Sequence, residues 1–84
     1  MITLYYDDIG DILFVQKSEP VLFKTCPEDS YVVFLSDKND IIIGIKLMAA
    51  SEMPYQYWVS HHSARKKLPE DIQKAVDAWV LKGY

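Results

Sequence analysis

The sequence has one cysteine, three glycines and four prolines in 84 residues. One cysteine, Cys26, excludes an internal disulfide framework and cysteine-rich zinc sites, and it places the chain in a reducing compartment, the cytoplasm. Three scattered glycines leave no glycine-rich phosphate loop. No segment reaches the roughly 20 apolar residues that a membrane-crossing helix needs, so no membrane partner is expected. The N-terminus has no basic stretch and meets Asp7 and Asp8 at once, so it does not read as a signal peptide.

Broad positive charge is also missing. Residues 1–60 carry four lysines against nine acidic side chains, a balance of −5. Residues 61–84 carry five cations against three acids, a balance of +2. The acidic front repels phosphate and disfavours general nucleic-acid binding, whereas the basic tail can touch a phosphate or an acidic partner.

What is present is a soluble globular composition, half apolar and a quarter charged, in a chain long enough for one domain, 1–84. A domain this small buries only roughly 60% of its unfolded surface, so self-association is a natural source of added stability.

Residues 1–48 read as strands: Ile2–Tyr6, Ile12–Gln16, Val21–Thr25, Tyr31–Ser36 and Ile41–Met48. Asp7 caps the first turn, and Gly10 can take a positive φ. In the turn Asp37-Lys38-Asn39-Asp40, Asn39 tolerates the left-handed conformation. On the last strand Ile43, Ile45 and Leu47 alternate with Ile42, Gly44 and Lys46, and the second and fourth strands are apolar on both faces. An antiparallel sheet with a wet face alternates more cleanly. Both faces are therefore expected to be covered, the second by another copy in a homodimer.

Residues 49–84 read as mainly helical. Pro69 suits a first helical position, Glu70 and Asp71 suit the positive end of a helix, and Ile72, Ala75, Val76, Trp79 and Val80 form an amphipathic stripe. Lys74 and Asp77 fall on the opposite face, where Asp77→Ala is expected to cost only about 0.5 kcal/mol. Residues 54–64 fit a helix or a strand, with the helix favoured because Ala64-Arg65-Lys66-Lys67 continues it. The fold class is α+β: an antiparallel sheet of four or five strands followed by one or two helices on one face.

Tyr6-Asp7-Asp8-Ile9-Gly10-Asp11-Ile12-Leu13-Phe14-Val15 and Gly44-Ile45-Lys46-Leu47-Met48-Ala49-Ala50-Ser51 resemble the two ends of a small prokaryotic family of unknown function. Its members start Tyr-Asp-x-x-x-Asp-x-Leu and end Gly-Ile-Glu-Ile-Leu-x-Ala-Ser. The resemblance spans about residues 2–51 and departs at Lys46, where the family has Glu, and at Asn39-Asp40, where it has Gly. It implies no activity. Some members are thought to accompany small toxins, which implies an antitoxin-like protein with a small protein partner.

The chemistry-bearing residues do not assemble into a known catalytic pattern. Asp7, Asp8 and Asp11 lack the alternation of a calcium loop and read as turn caps. Adjacent His61 and His62 point apart and chelate poorly, so no metal or cofactor is expected. Cys26 reads as a half-buried structural thiol, although paired with a histidine it offers a weaker enzyme alternative. The best reading is a non-enzymatic protein-binding or regulatory module. Its candidate partner-binding residues are Tyr55, Tyr57, Trp58, Arg65, Lys66, Lys67 and Trp79. The alternative, a small nucleic-acid-contacting protein, uses the same basic aromatic segment.

Overall fold

The computed structural model describes residues 1–83, apart from the side chains of Asp29 and His61. Five antiparallel strands, β1 (Thr3–Asp7), β2 (Ile12–Gln16), β3 (Leu22–Cys26), β4 (Asp29–Ser36) and β5 (Ile42–Met48), form one sheet in the order β1-β2-β5-β4-β3. A single 3-10 turn (Ala50–Glu52) follows, then α1 (Tyr55–His61), α2 (Ser63–Lys66) and α3 (Glu70–Lys82). This is the expected α+β arrangement, with five strands.

The hairpins at Tyr6/Ile12 and Ser36/Ile41 form where the alternation places them, and neighbouring residues take the left-handed conformation. Asp11 (φ 54°) is left-handed in the first turn and Asp40 (φ 65°) in the second, in place of Gly10 and Asn39. Asp7 Oδ1 accepts the amides of Ile9 and Gly10, as a turn cap should. Asp37 does the same for Asn39 and Ile41, which holds Asn39 and passes the positive φ to Asp40. Both Asp and Asn tolerate that region better than other residues with a Cβ.

The central pairing is β2 with β5, which puts Val15 opposite Ile45 and Leu13 opposite Leu47. Val32 and Phe34 continue these rows on β4. All of these residues are buried, under Ile72, Val76, Trp79 and Val80 of α3 and Trp58 of α1. Each fully buried aliphatic side chain stabilises by about 1.5–3 kcal/mol. The α3 stripe read from periodicity is therefore the stripe that packs. Pro69 sits one position before the helix as its N-cap, and Gly83 closes it at φ 65°.

The segment after Pro54 is helical, but it does not run unbroken to Lys67. His62 adopts φ −81° and ψ 109°, an extended conformation that separates α1 from α2. Its buried ring packs 4.8 Å from Trp58 and 5.8 Å from Tyr57, centroid to centroid.

Asp77 departs most from expectation. Its carboxylate accepts the Trp58 indole N–H at 2.7 Å and a bidentate pair from Arg65 at 2.9 and 2.7 Å. The Arg65 and Asp77 side chains are 22% and 19% exposed. Asp77 thus joins α1, α2 and α3, so it is no solvated outer-face residue. Lys74 is one: its ion pair with Glu70 lies in solvent.

The two ends of the motif meet. Asp11 accepts Tyr6 Oη at 2.6 Å, the Ser51 amide at 2.9 Å and Ser51 Oγ at 2.7 Å. The Asp11 carbonyl accepts the Ala50 amide at 3.0 Å. Hydrogen bonds from Ser51 and Tyr6 hold the Asp11 carboxyl below the ordinary aspartate value. Tyr6, Asp11 and Ser51 therefore clasp the first hairpin to the end of β5.

Gly44 has a steric reason of its own. A Cβ there would run into the Val15 carbonyl oxygen and come within 2.9 Å of Gln16 Cα. Because that neighbour is paired backbone, Gly44→Ala is expected to lose about 1–3 kcal/mol, as overpacked sites do. Urea unfolding of the variant checks this.

Candidate partner-binding site

All the helical packing lies on one face of the sheet. The other face carries two rows read directly from the strand register. One is Tyr5, Phe14, Lys46, Val33 and Thr25; the other is Thr3, Gln16, Gly44, Leu35 and Phe23. Tyr5, Phe14, Val33, Leu35 and Phe23 of that face lie outside the helix-packed core, while Tyr31 and Met48 at its end line a groove with Tyr57 of α1. Tyr5 is 60% exposed and Phe23 67%. Tyr31, two residues before Val33 on the same face, is 55% exposed.

The face is locally ordered by its own side chains. Tyr5 and Phe14 stack tilted at 5.9 Å, and Lys46 Nζ lies 5.6 Å from the centre of the Phe14 ring. The lysine's charge meets the negative face of the aromatic system. Lys46, where the resemblance departs from Glu, therefore sits in the middle of the uncovered face. Leu35 is buried even here, between Gly44 and the exposed Phe23 on neighbouring strands.

At one end the face runs into a groove of about 560 Å³. The β3–β4 turn contributes Glu28, the start of β4 Ser30 and Tyr31, and the end of β5 Met48. Glu52 and Met53, Tyr57 on α1 and the buried His62 complete the lining. Ala49, left-handed at φ 51°, turns the chain from β5 into the 3-10 segment and also lines the groove.

The candidate residues from the basic aromatic segment are not presented as one surface. Trp58 is fully buried and Trp79 is 8% exposed, 4.9 Å from the Tyr6 ring, so both belong to the core. Arg65 is committed to Asp77, and Tyr55 is half-buried against the core. Tyr57 reaches the groove. Lys66 and Lys67 are exposed, with Lys67 Nζ 6.0 Å from the Phe34 ring.

Asp7 and Asp11 spend their carboxylates on backbone amides, Tyr6 and Ser51. Cys26 is packed into the hydrophobic core. The His61 side chain lies outside the described residues. Among the described residues no group of three or more His, Cys, Asp or Glu side chains could hold a metal ion, and no helix is long and apolar enough to cross a membrane.

Sequence reasoning missed Tyr5, Phe14, Phe23, Tyr31 and Lys46 as surface residues. The signal was present in the two-sided strands, but it does not say which face the helices take. No family model, no curated protein and no solved structure matches the chain.

Proposed function

We propose that this chain is a non-enzymatic protein-binding module that docks through the helix-free face of its sheet. The observation that carries this reading is the set of exposed rings, Tyr5, Phe23 and Tyr31, around a centre of Phe14, Val33, Leu35 and Lys46. Contiguous exposed apolar surface of this kind marks interaction sites in small proteins. Aromatic residues with an occasional cation are the side chains that dominate protein interfaces. A second copy is the first expected occupant, giving a homodimer. The antitoxin-like role implied by the resemblance, with a small protein partner in the cytoplasm, is one form of such a module. Nucleic-acid binding is less favoured, because the basic segment offers neither Trp58 nor Arg65 to a ligand.

Hydroxyl-radical footprinting tests the reading. Oxidation of Tyr5, Phe23 and Tyr31 should fall as the protein is concentrated into the micromolar range. Leu81, exposed on α3, should react equally throughout. Equal oxidation of all four at every concentration would count against a docking face that binds a second copy. Salt-dependent protection by a short oligonucleotide would favour the nucleic-acid reading.

A further inference from the structure

We infer that the groove at the end of the open face accepts a basic side chain, arginine above all, from a docked protein other than a second copy, since this chain's one arginine, Arg65, is held by Asp77. This rests on the protein-binding reading and adds the chemistry of the partner. The first ground is charge. Two carboxylates, Glu28 and Glu52, line the groove, and among the described residues no lysine or arginine does. A cation entering it therefore meets acceptors, with no competing lysine or arginine among the described residues.

The second ground is the kind of surface between them. Tyr31 and Tyr57 supply aromatic rings and Met48 and Met53 supply thioethers. A guanidinium is planar and weakly hydrated; it stacks on aromatic rings while its N–H groups reach carboxylates. Its aliphatic stem suits methionine, which adapts to irregular shapes. Glutamates on bare polar surface would attract any counterion. Glutamates flanking rings and thioethers favour a flat cation with an apolar stem.

The third ground is position. Tyr31 and Met48 lie on the same sheet face as Val33 and Lys46, and they also line the groove. A protein seated on the open face therefore reaches the groove without crossing a barrier. The volume of about 560 Å³ admits a whole side chain.

The test is an NMR titration of the full chain with acetyl-Gly-Gly-Arg-Gly-Gly-amide, beside the same peptide carrying citrulline. Citrulline keeps the shape and removes the charge. The arginine peptide should give saturable shifts at the amides of Tyr31, Met53, Tyr57 and His62, and the citrulline peptide should not. In the Glu28→Gln/Glu52→Gln double variant the affinity should fall about tenfold, the product of two exposed charge contacts each worth a few-fold. Both glutamates are exposed, so the variant's melting temperature should stay at the wild-type value.

An equal response to citrulline would overturn the inference. So would wild-type affinity in the double variant, or no saturation by about 10 mM peptide, the scale below which such contacts are negligible. Shifts spread over Asp8, Asp37 and Asp40 would also overturn it, showing attraction to acid in general. None of these outcomes touches the docking face itself. The concentration-dependent footprint of Tyr5 and Phe23 is read without any peptide, so failure of the groove and failure of the face are separate results.

Discussion

Trp58→Ala is expected to leave the domain barely folded. Trp58 is fully buried, and its ring fills the space between α1, the sheet and α3. Truncating a buried tryptophan costs about 3–5 kcal/mol through lost burial and the cavity left behind. A small domain has only about 5–10 kcal/mol to lose. The indole N–H also donates to Asp77, so the variant removes one of the contacts that hold that carboxylate. Trp58→Phe separates the two effects: it keeps most of the volume and loses the donor, and should cost about 1–2 kcal/mol. Urea unfolding followed by far-UV circular dichroism measures both. Wild-type stability in Trp58→Ala would mean that α1 does not pack on the sheet.

Asp77→Ala is expected to cost about 3 kcal/mol, far above the value for an outer-face residue. The substitution leaves Arg65 and the Trp58 N–H without their acceptor in a largely buried setting, and breaking such a pair from one side is costly. Lys74→Ala, on the same helix, should cost about 0.5 kcal/mol or less because its pair with Glu70 is exposed. The same carboxylate sets an acid limit. Partial burial raises the Asp77 value, but the hydrogen bonds from Arg65 and Trp58 and the charge of Arg65 outweigh it, so the net shift is downward.

A carboxyl lowered in the folded state contributes stability that is complete above its unfolded value, about 4. That contribution is lost as pH falls through the lower folded value. Asp11 acts in the same direction, lowered by Ser51 and Tyr6. Stability should therefore fall with decreasing pH below about 4. In Asp77→Ala the fall should be shallower. Parallel curves for wild type and variant would show that Asp77 is not held as its hydrogen bonds indicate.

The contrast between Lys74 and Asp77 shows what the sequence carries and what it does not. The stripe Ile72, Val76, Trp79 and Val80 is a local pattern, and it packs as its period requires. Asp77 lies off that stripe by periodicity. Its role depends on Trp58 and Arg65, 19 and 12 residues away, brought in by a break in the helix at His62 that no composition rule marks. Likewise the hairpins at Asp7–Asp11 and Asp37–Asp40 were legible, but the residue taking positive φ was decided by which amides the capping aspartates hold.

The strand order is a tertiary outcome. Pairing β2 with β5 joins Leu13 to Leu47 across 34 residues, and only then do Asp11 and Ser51 meet. Asp11, Gly44 and Ser51 could be seen in the sequence, but their physical roles, a clasp and a glycine pressed against the neighbouring backbone, needed the fold. The candidate site was the least legible. Its aromatic residues alternate on strands as core residues do, and the groove is lined by segments far apart in the sequence.

The central claim is that the helix-free sheet face docks on protein, a second copy first. Sedimentation equilibrium across a wide concentration range tests it most directly, with wild type beside Phe23→Glu, a change at a residue 67% exposed on that face. The wild-type mass should rise from 9.7 kDa towards twice that value with concentration. Phe23→Glu should remain at the monomer mass with an unchanged melting temperature. A wild type that stays at 9.7 kDa at every loading, or a variant that associates as tightly as wild type, would contradict the account.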